Sequence, residues 1–207
     1  MKLTIIGASG HGRVVADIAK QCGYDEIEFL DDDESLCSCG IYPVVGKTDK
    51  PVDNDVFVAI GNAEIRKRLS EGRNPVTLIH PDAVVADDVE IGTGSVVMAG
   101  VVINPGTRIG RGAIINTSSS VDHDCTIGDY CHISVGSHLC GTVRVGASSW
   151  IGAGAVVIND LKEEGTYISV PAKKMSKPNL TGGGVQARQV NIYKYNHSSF
   201  CGCPLTA

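Results

Sequence analysis

The 207-residue sequence predicts two joined architectures: an α/β, Rossmann-like domain over residues 1–75 and a parallel β-helix of six-residue repeats over residues 76–175. Two columns of residues carry the second prediction. Counting every sixth position from Ile79 gives Val85, Ile91, Val97, Ile103, Ile109, Ile115, Val121, Ile127, Ile133, Leu139, Val145, Ile151 and Val157, all aliphatic. Four places after each comes a small residue, from Ala83, Val89 and Ser95 through Cys125 and Cys131 to Ser149 and Ala155. A helix repeats near 3.6 residues and an ordinary strand at 2, so a strict period of six fits neither. A β-α-β pattern with a glycine-rich turn at the start of the chain carries the first prediction.

Leu3-Thr4-Ile5-Ile6 reads as a buried strand. Gly7-Ala8-Ser9-Gly10-His11-Gly12 leads into an amphipathic helix carrying Val14, Val15, Ile18 and Ala19, and Ile27-Glu28-Phe29-Leu30 forms a second strand that ends in Asp31-Asp32-Asp33. These glycines miss the dinucleotide spacing G-x-G-x-x-G, because Ser9 takes the place of its second glycine, so a NAD reading is weak. A glycine-rich turn at a helix N-terminus still presents amides and a favourable dipole to phosphate. Asp31 or Asp32, at a strand end, can accept hydrogen bonds from a nucleoside. Val56–Ile60 gives a third strand, Gly61-Asn62 opens a helix that runs to about Glu71, and Glu71–Pro75 is the linker into the repeat.

In the repeat, each unit supplies a short strand whose aliphatic and small residues point inward, two apart as strand alternation requires. Three units close a triangular coil, and about four coils are visible. Glycine directly after the aliphatic position, as at Gly92, Gly110, Gly128, Gly146 and Gly152, is expected at corners where backbone torsions must be permissive.

Composition narrows the function. The apolar share of 43% supports real cores, and a formal charge of −5 without a Lys/Arg stripe argues against a nucleic-acid partner and for a small molecule. The apolar run after Met1-Lys2 is too short for a signal peptide, and no stretch reaches the ~20 apolar residues of a membrane span. Eight cysteines without an export signal read as reduced thiols, which makes the cytoplasm the expected compartment.

Five stretches in this order and spacing carry a resemblance: Gly7–Gly12, Phe29-Leu30-Asp31-Asp32, Ile60-Gly61-Asn62, Asn116-Thr117-Ser118-Ser119 with His123, and Val170-Pro171-Ala172-Lys173-Lys174. Together with the Ile-Gly-x-x-(Ala/Ser/Val) repeat they resemble the hexapeptide-repeat sugar acetyltransferases, in particular the sialic-acid O-acetyltransferase and bacillosamine-pathway N-acetyltransferase group. The likeness covers residues 1 to about 175. It implies a left-handed coil, a homotrimer with active sites between subunits, a UDP-sugar held by the α/β domain, and acetyl-CoA held as co-substrate by the β-helix, with no metal. The substrate-binding residues expected are Gly10, His11, Gly12, Asp31, Asp32, Gly61, Asn62 and Asn116.

Register assigns the chemistry further. His123 falls two places after inward Val121, hence on an exposed corner, where imidazole is suited to take a proton from an attacking amine or hydroxyl near neutrality. Asp122 or Asp124 can orient the ring, and the resemblance selects Asp124. Gly141 occupies the same corner one coil on, as an oxyanion donor through its amide or simply as a corner glycine. His132, between inward Cys131 and Ile133, points outward with Trp150 one coil above, which suggests a subunit interface or a coenzyme surface; the resemblance implies coenzyme contact there and at Lys173. Asn116 can position the acceptor or form a ladder or cap, and His11, by the resemblance, reaches toward a neighbouring subunit's active site unless it is only a turn residue. His138 points outward without an assigned role. Cys125 and Cys131 sit inward as core filler, so direct transfer without an acyl-enzyme is expected.

Two features depart from the family. After Val157 relatives continue for one further coil, so a shortened coenzyme groove or replacement contacts are expected. Residues 176–207, with Gly182-Gly183-Gly184, Tyr193, Tyr195 and Cys201-Gly202-Cys203, form an atypical extension, read as an unfolded or partner-binding appendage. The leading function is acetyl transfer from acetyl-CoA to a UDP-4-amino-sugar. O-acetylation of a sialic acid shares the machinery. From other classes come a catalytically silent scaffold and a metal-dependent hydratase using His123, His132 and His138.

Overall fold

The computed structural model describes residues 1–175, which form one compact unit. The expectations for residues 176–207, including the glycine run and the Cys201-Gly202-Cys203 pair, lie outside the described residues.

The chain opens with strand β1 (Lys2–Ile6), helix α1 (Gly10–Gln21), strand β2 (Glu26–Leu30), the hairpin β3 (Ser38–Cys39) and β4 (Tyr42–Pro43), strand β5 (Asp55–Val58) and helix α2 (Ala63–Ser70). The parallel sheet has the order β2-β1-β5. Ser9 caps α1 by accepting the Gly12 amide at 3.4 Å, and the helix buries Val15, Ala16, Ile18 and Ala19. Val14, expected on that face, lies at its margin and is 44% exposed. The segment read as a linker is instead paired: the Val56 amide donates to Asn74 and the Val76 amide to Val56, at 3.1 and 3.0 Å, so the chain extends the sheet beyond β5 before entering the coil.

The coil consists of two-residue strands, one every six residues. They are β6 (Leu78–Ile79), β7 (Val84–Val85), β8 (Glu90–Ile91), β9 (Val96–Val97), β10 (Val102–Ile103), β11 (Arg108–Ile109) and β12 (Ile114–Ile115), then β13 (Ser120–Val121), β14 (Thr126–Ile127), β15 (His132–Ile133), β16 (His138–Leu139), β17 (Arg144–Val145), β18 (Trp150–Ile151) and β19 (Val156–Val157). All pair in parallel, each residue with the one eighteen further on, as Val121 with Leu139. Three faces result: β6-β9-β12-β15-β18, β7-β10-β13-β16-β19, and β8-β11-β14-β17.

The repeat does not stop where the sequence pattern does. Strand β20 (Thr166–Ile168) continues the first face by pairing with β18, and Leu161 bridges Val145 on the third, which brings the coil to roughly five turns rather than four. A last strand, β21 (Lys173–Lys174), turns back antiparallel on β20. Both predicted columns point inward and are buried from Val97 onward, whereas Ile79 at the open lower end is 39% exposed.

The corner glycines require a correction. The left-handed backbone falls three places after the aliphatic residue, at Gly94, Gly100, Gly106, Gly112, Gly136 and Gly154, with φ between 61° and 74°. The glycines expected there for torsional freedom serve close approach instead: a Cβ on Gly128 would lie 2.5 Å from the Ala147 amide nitrogen of the next coil.

The outer sides of the three faces differ. On the first, Leu78, Val96 and Ile114 are fully covered and belong to the same core as Val15 and Ile18 of α1, which seats the α/β part there. The third carries Glu90, Arg108, Thr126 and Arg144, all exposed. The second carries Val84, Val102, Ser120, His138 and Val156, with Val84 64% exposed.

Candidate active site

At the corner between the second and third faces the chain turns through Asp122-His123-Asp124. Asp122 Oδ1 accepts from Asn104 Nδ2 at 2.8 Å and from the His123 amide at 2.9 Å. The Asn104 bond, first among several, holds this carboxyl below the usual range. Asp124, in the left-handed region at φ 57°, places Oδ2 2.8 Å from His123 Nδ1. That bond, aided by the Asp122 charge, raises the His123 pKa above 6.5. The two flanking acids therefore divide the work: Asp124 holds the ring and Asp122 holds the backbone beneath it.

His123 Nε2 faces Gly141. A Cβ at position 141 would stand 2.5 Å from that nitrogen, and the φ of Gly141 is not left-handed, so its missing side chain makes room for the ring. Beside Gly141 opens a hollow of about 510 Å³, walled by Gly141–Val143 and by Ile158, Asn159, Asp160 and Lys162. The Asp160 carboxylate accepts the Arg144 amide at 2.9 Å, fixing the second wall. Residues after Val157 thus wall this hollow at the end of the coil where a shortened groove or replacement contacts were expected.

A second cluster lies on the first face. His132 stacks on Trp150 with ring centroids 5.4 Å apart and 6° between planes, and its Nε2 lies 3.3 Å from Asn116 Nδ2. His11 of the same chain covers it, with centroids 6.5 Å apart. His132 points out of the prism face, but the start of α1 of the same chain sits over it. His11 Nε2 and His132 Nδ1 are sealed from solvent without a hydrogen-bond partner. Burial, then the charge of Arg66, lowers the His11 pKa to about 4; burial, then His11 and Arg66, lowers that of His132 to about 3. Both rings are neutral at pH 7.

Arg66, like Asn104, is a residue of this region that sequence reasoning missed. It is 1% exposed and donates to backbone carbonyls, from Nε to Gly112 at 2.7 Å, from Nη1 to Ile60 and Gly61 at 2.7 and 3.0 Å, and from Nη2 to Tyr130 at 2.6 Å and Cys131 at 3.4 Å. Burial pushes its pKa down to about 10, which leaves it charged. In α2 it stands between Ile65, 37% exposed, and Lys67, so hydropathy points the wrong way.

Apart from Lys173, the remaining predicted contacts belong to the segments that follow strands β1, β2 and β5 of the β2-β1-β5 sheet, where the strand order reverses at β1 and ligands of such sheets bind. Side chains added at Gly10 and Gly61 would meet nothing within 4 Å, so both leave open approach, whereas a Cβ on Gly12 would strike the Gly7 carbonyl. Asp31 accepts from Ala8 N at 2.7 Å and Asp33 N at 3.0 Å, which ties the first turn to the second strand. Asp32 is bound to the Thr48 amide and hydroxyl at 3.0 and 2.9 Å. Asn62 caps α2 by accepting Ile65 N at 3.0 Å. Lys173 is exposed on β21. Among the described contacts, none joins the His11–His132–Asn116 cluster to His123, which lies one face-width away.

Among the described residues no group of three or more His, Cys, Asp or Glu is arranged to hold a metal ion, and no helix is long and apolar enough to cross a membrane. Residues 2–72 match the family model described as the PglD N-terminal domain. The chain is 36% identical to the GDP-perosamine N-acetyltransferase of Escherichia coli O157:H7 over 168 residues, 74% of this chain and 76% of that one. Among solved structures, the acetyltransferase domain of PglB from Neisseria gonorrhoeae in complex with acetyl coenzyme A matches with TM-score 0.75 and 39% identity, covering 84% of this chain and 98% of the other. A variant of perosamine N-acetyltransferase from Caulobacter crescentus, in complex with CoA and GDP-perosamine, matches with TM-score 0.74 and 35% identity, over 86% and 98%. With its α/β opening, its coil and these likenesses, the chain belongs to the hexapeptide-repeat sugar acetyltransferase family.

Proposed function

We propose that this protein transfers the acetyl group of acetyl-CoA to the amine of a nucleotide-linked 4-amino sugar, with His123 as general base. The observation that carries the reading is the His123–Asp124 pair at 2.8 Å, with Nε2 facing outward beside a residue that has no side chain. The amine attacks the thioester carbonyl, a C–N bond forms, the C–S bond breaks, and the amine proton passes to Nε2 before reaching the departing thiolate. Asp124 stabilises the imidazolium. The Gly141 corner and the adjoining hollow receive the coenzyme, with Gly141 N as an oxyanion donor and His132 and Lys173 as further coenzyme contacts. The buried thiols of Cys125 and Cys131, both raised in pKa by burial, are unsuited to an acyl-enzyme route.

The nucleotide occupies the crevice between Gly10 and Gly61, with Asp31 and Asp32 toward the nucleoside, in a domain taken as residues 1–75 against a coil of 76–175. His11 and Asn116 carry the sugar end. Because these groups sit a face away from His123, a complete site takes His123 from one copy and the nucleotide crevice from another, as in a homotrimer. A UDP-linked acceptor is the reading offered, with the GDP-linked perosamine of the relatives as the competing substrate. Reduced thiols and both co-substrates fit the cytoplasm. Acetyl transfer measured with UDP- and GDP-linked amino sugars and with free sialic acid, for wild type and His123→Ala, tests the proposal. Equal rates in both proteins would remove His123 as base, and transfer to sialic acid alone would replace N- with O-acetylation.

A further inference from the structure

The outer column of the second face reads Val84, Val102, Ser120, His138, Val156. It is apolar at both ends and polar at two adjacent rungs. Those rungs are the ones that run into the catalytic corner: β13 leads to His123 and β16 to Gly141. Ser120 Oγ lies 2.8 Å from His138 Nδ1, and His138 is exposed. Ser120 opens β13, three residues before His123 at the turn that follows this strand. The strand leads directly into the corner that bears the proposed base.

A hydroxyl bonded to Nδ1 fixes the tautomer of an imidazole and so decides what Nε2 offers outward. With Ser120 donating to Nδ1, Nε2 carries the proton and presents one oriented donor to an oxygen. Neither neighbour in the column competes for it, since Val102 and Val156 have no acceptor. We infer that the Ser120–His138 pair is a specificity-determining contact for the acceptor, donating from His138 Nε2 to a sugar hydroxyl oxygen of the acceptor whose amine lies at His123 of the same copy. The inference rests on the acetyl-transfer reading above.

The test uses full-length protein, acetyl-CoA, and GDP-perosamine or a UDP-4-amino-sugar, whichever wild type acetylates faster. His138→Ala should raise the KM for the sugar by about 3- to 10-fold, the worth of one neutral hydrogen bond, while kcat and the KM for acetyl-CoA stay within about 2-fold. His138→Gln, whose amide nitrogen can take the place of Nε2, should recover part of the loss, and Ser120→Ala should give a smaller shift in the same direction. An unchanged sugar KM in His138→Ala overturns the inference, as does an equal rise for acetyl-CoA or a loss that Gln does not relieve. Wild-type protein that acetylates no nucleotide sugar sinks the underlying reading instead, so the two failures are separable.

Discussion

Gly141→Ala is the sharpest probe of the catalytic corner. The backbone at 141 lies outside the left-handed region, so alanine fits its torsions without strain. The added Cβ, however, would stand 2.5 Å from His123 Nε2 and 2.7 Å from Cε1. Ordinary contact needs about 3.5 Å, so the ring must retreat by about 1 Å. His123 is 56% exposed on its side chain and can swing outward, so fold stability should hardly change. A displacement of that size in a reacting group costs about 100-fold in rate, or about 2.7 kcal/mol of barrier. The variant keeps the 141 amide, so the loss would not be that of an oxyanion donor. The assay is kcat/KM for acetyl transfer alongside the thermal midpoint. Activity within about 3-fold of wild type would refute the placement of His123, and a fall in Tm matching the activity loss would return Gly141 to a purely structural part.

Asp124→Asn removes the first cause of the raised His123 pKa, so the acidic limb of kcat/KM, above pH 6.5 in wild type, should move to lower pH while the plateau falls about tenfold or more; a stationary limb would detach Asp124 from the base. Arg66→Met strips five carbonyls of a buried donor and should cost about 3 kcal/mol or more, read as a Tm lower by about 10 °C; a drop under about 2 °C would contradict the clasp. His11 and His132 have folded pKa values of about 4 and about 3 against 6.5, so the unfolded chain binds more protons and stability falls as pH drops below 6.5. Each contributes at most about 1.4 kcal/mol per pH unit. Urea unfolding at fixed protein concentration should show this slope between pH 6.5 and 5, halved in His132→Asn; equal slopes in both proteins would reject it.

The coil was legible because its signal is redundant. Each rung repeats the same inward pair, and the register that follows puts His123 on a corner and Gly141 above it without any knowledge of contacts. The end of the coil was not legible, since Leu161 and β20 join it through backbone pairing after the six-residue spacing is lost. Nor was the reason for each glycine. Composition shows that Gly128 lacks a side chain, and only the neighbouring coil shows that none would fit. Asn104 stayed hidden because its partner, Asp122, is eighteen residues away and nothing in either residue announces the pairing.

By itself, then, the sequence determined the period, the inward faces and the identity of the candidate base, because these depend on local alternation and repetition. Tertiary structure decided that Asp122 holds the backbone beneath His123 and that His132 is covered by His11. It also buried a charged Arg66 while leaving Ile65 exposed. Those outcomes depend on which surfaces meet. An arginine can be buried beside an exposed isoleucine only where carbonyls from two separate corners and a loop converge to replace its water, and no one-dimensional pattern records that convergence.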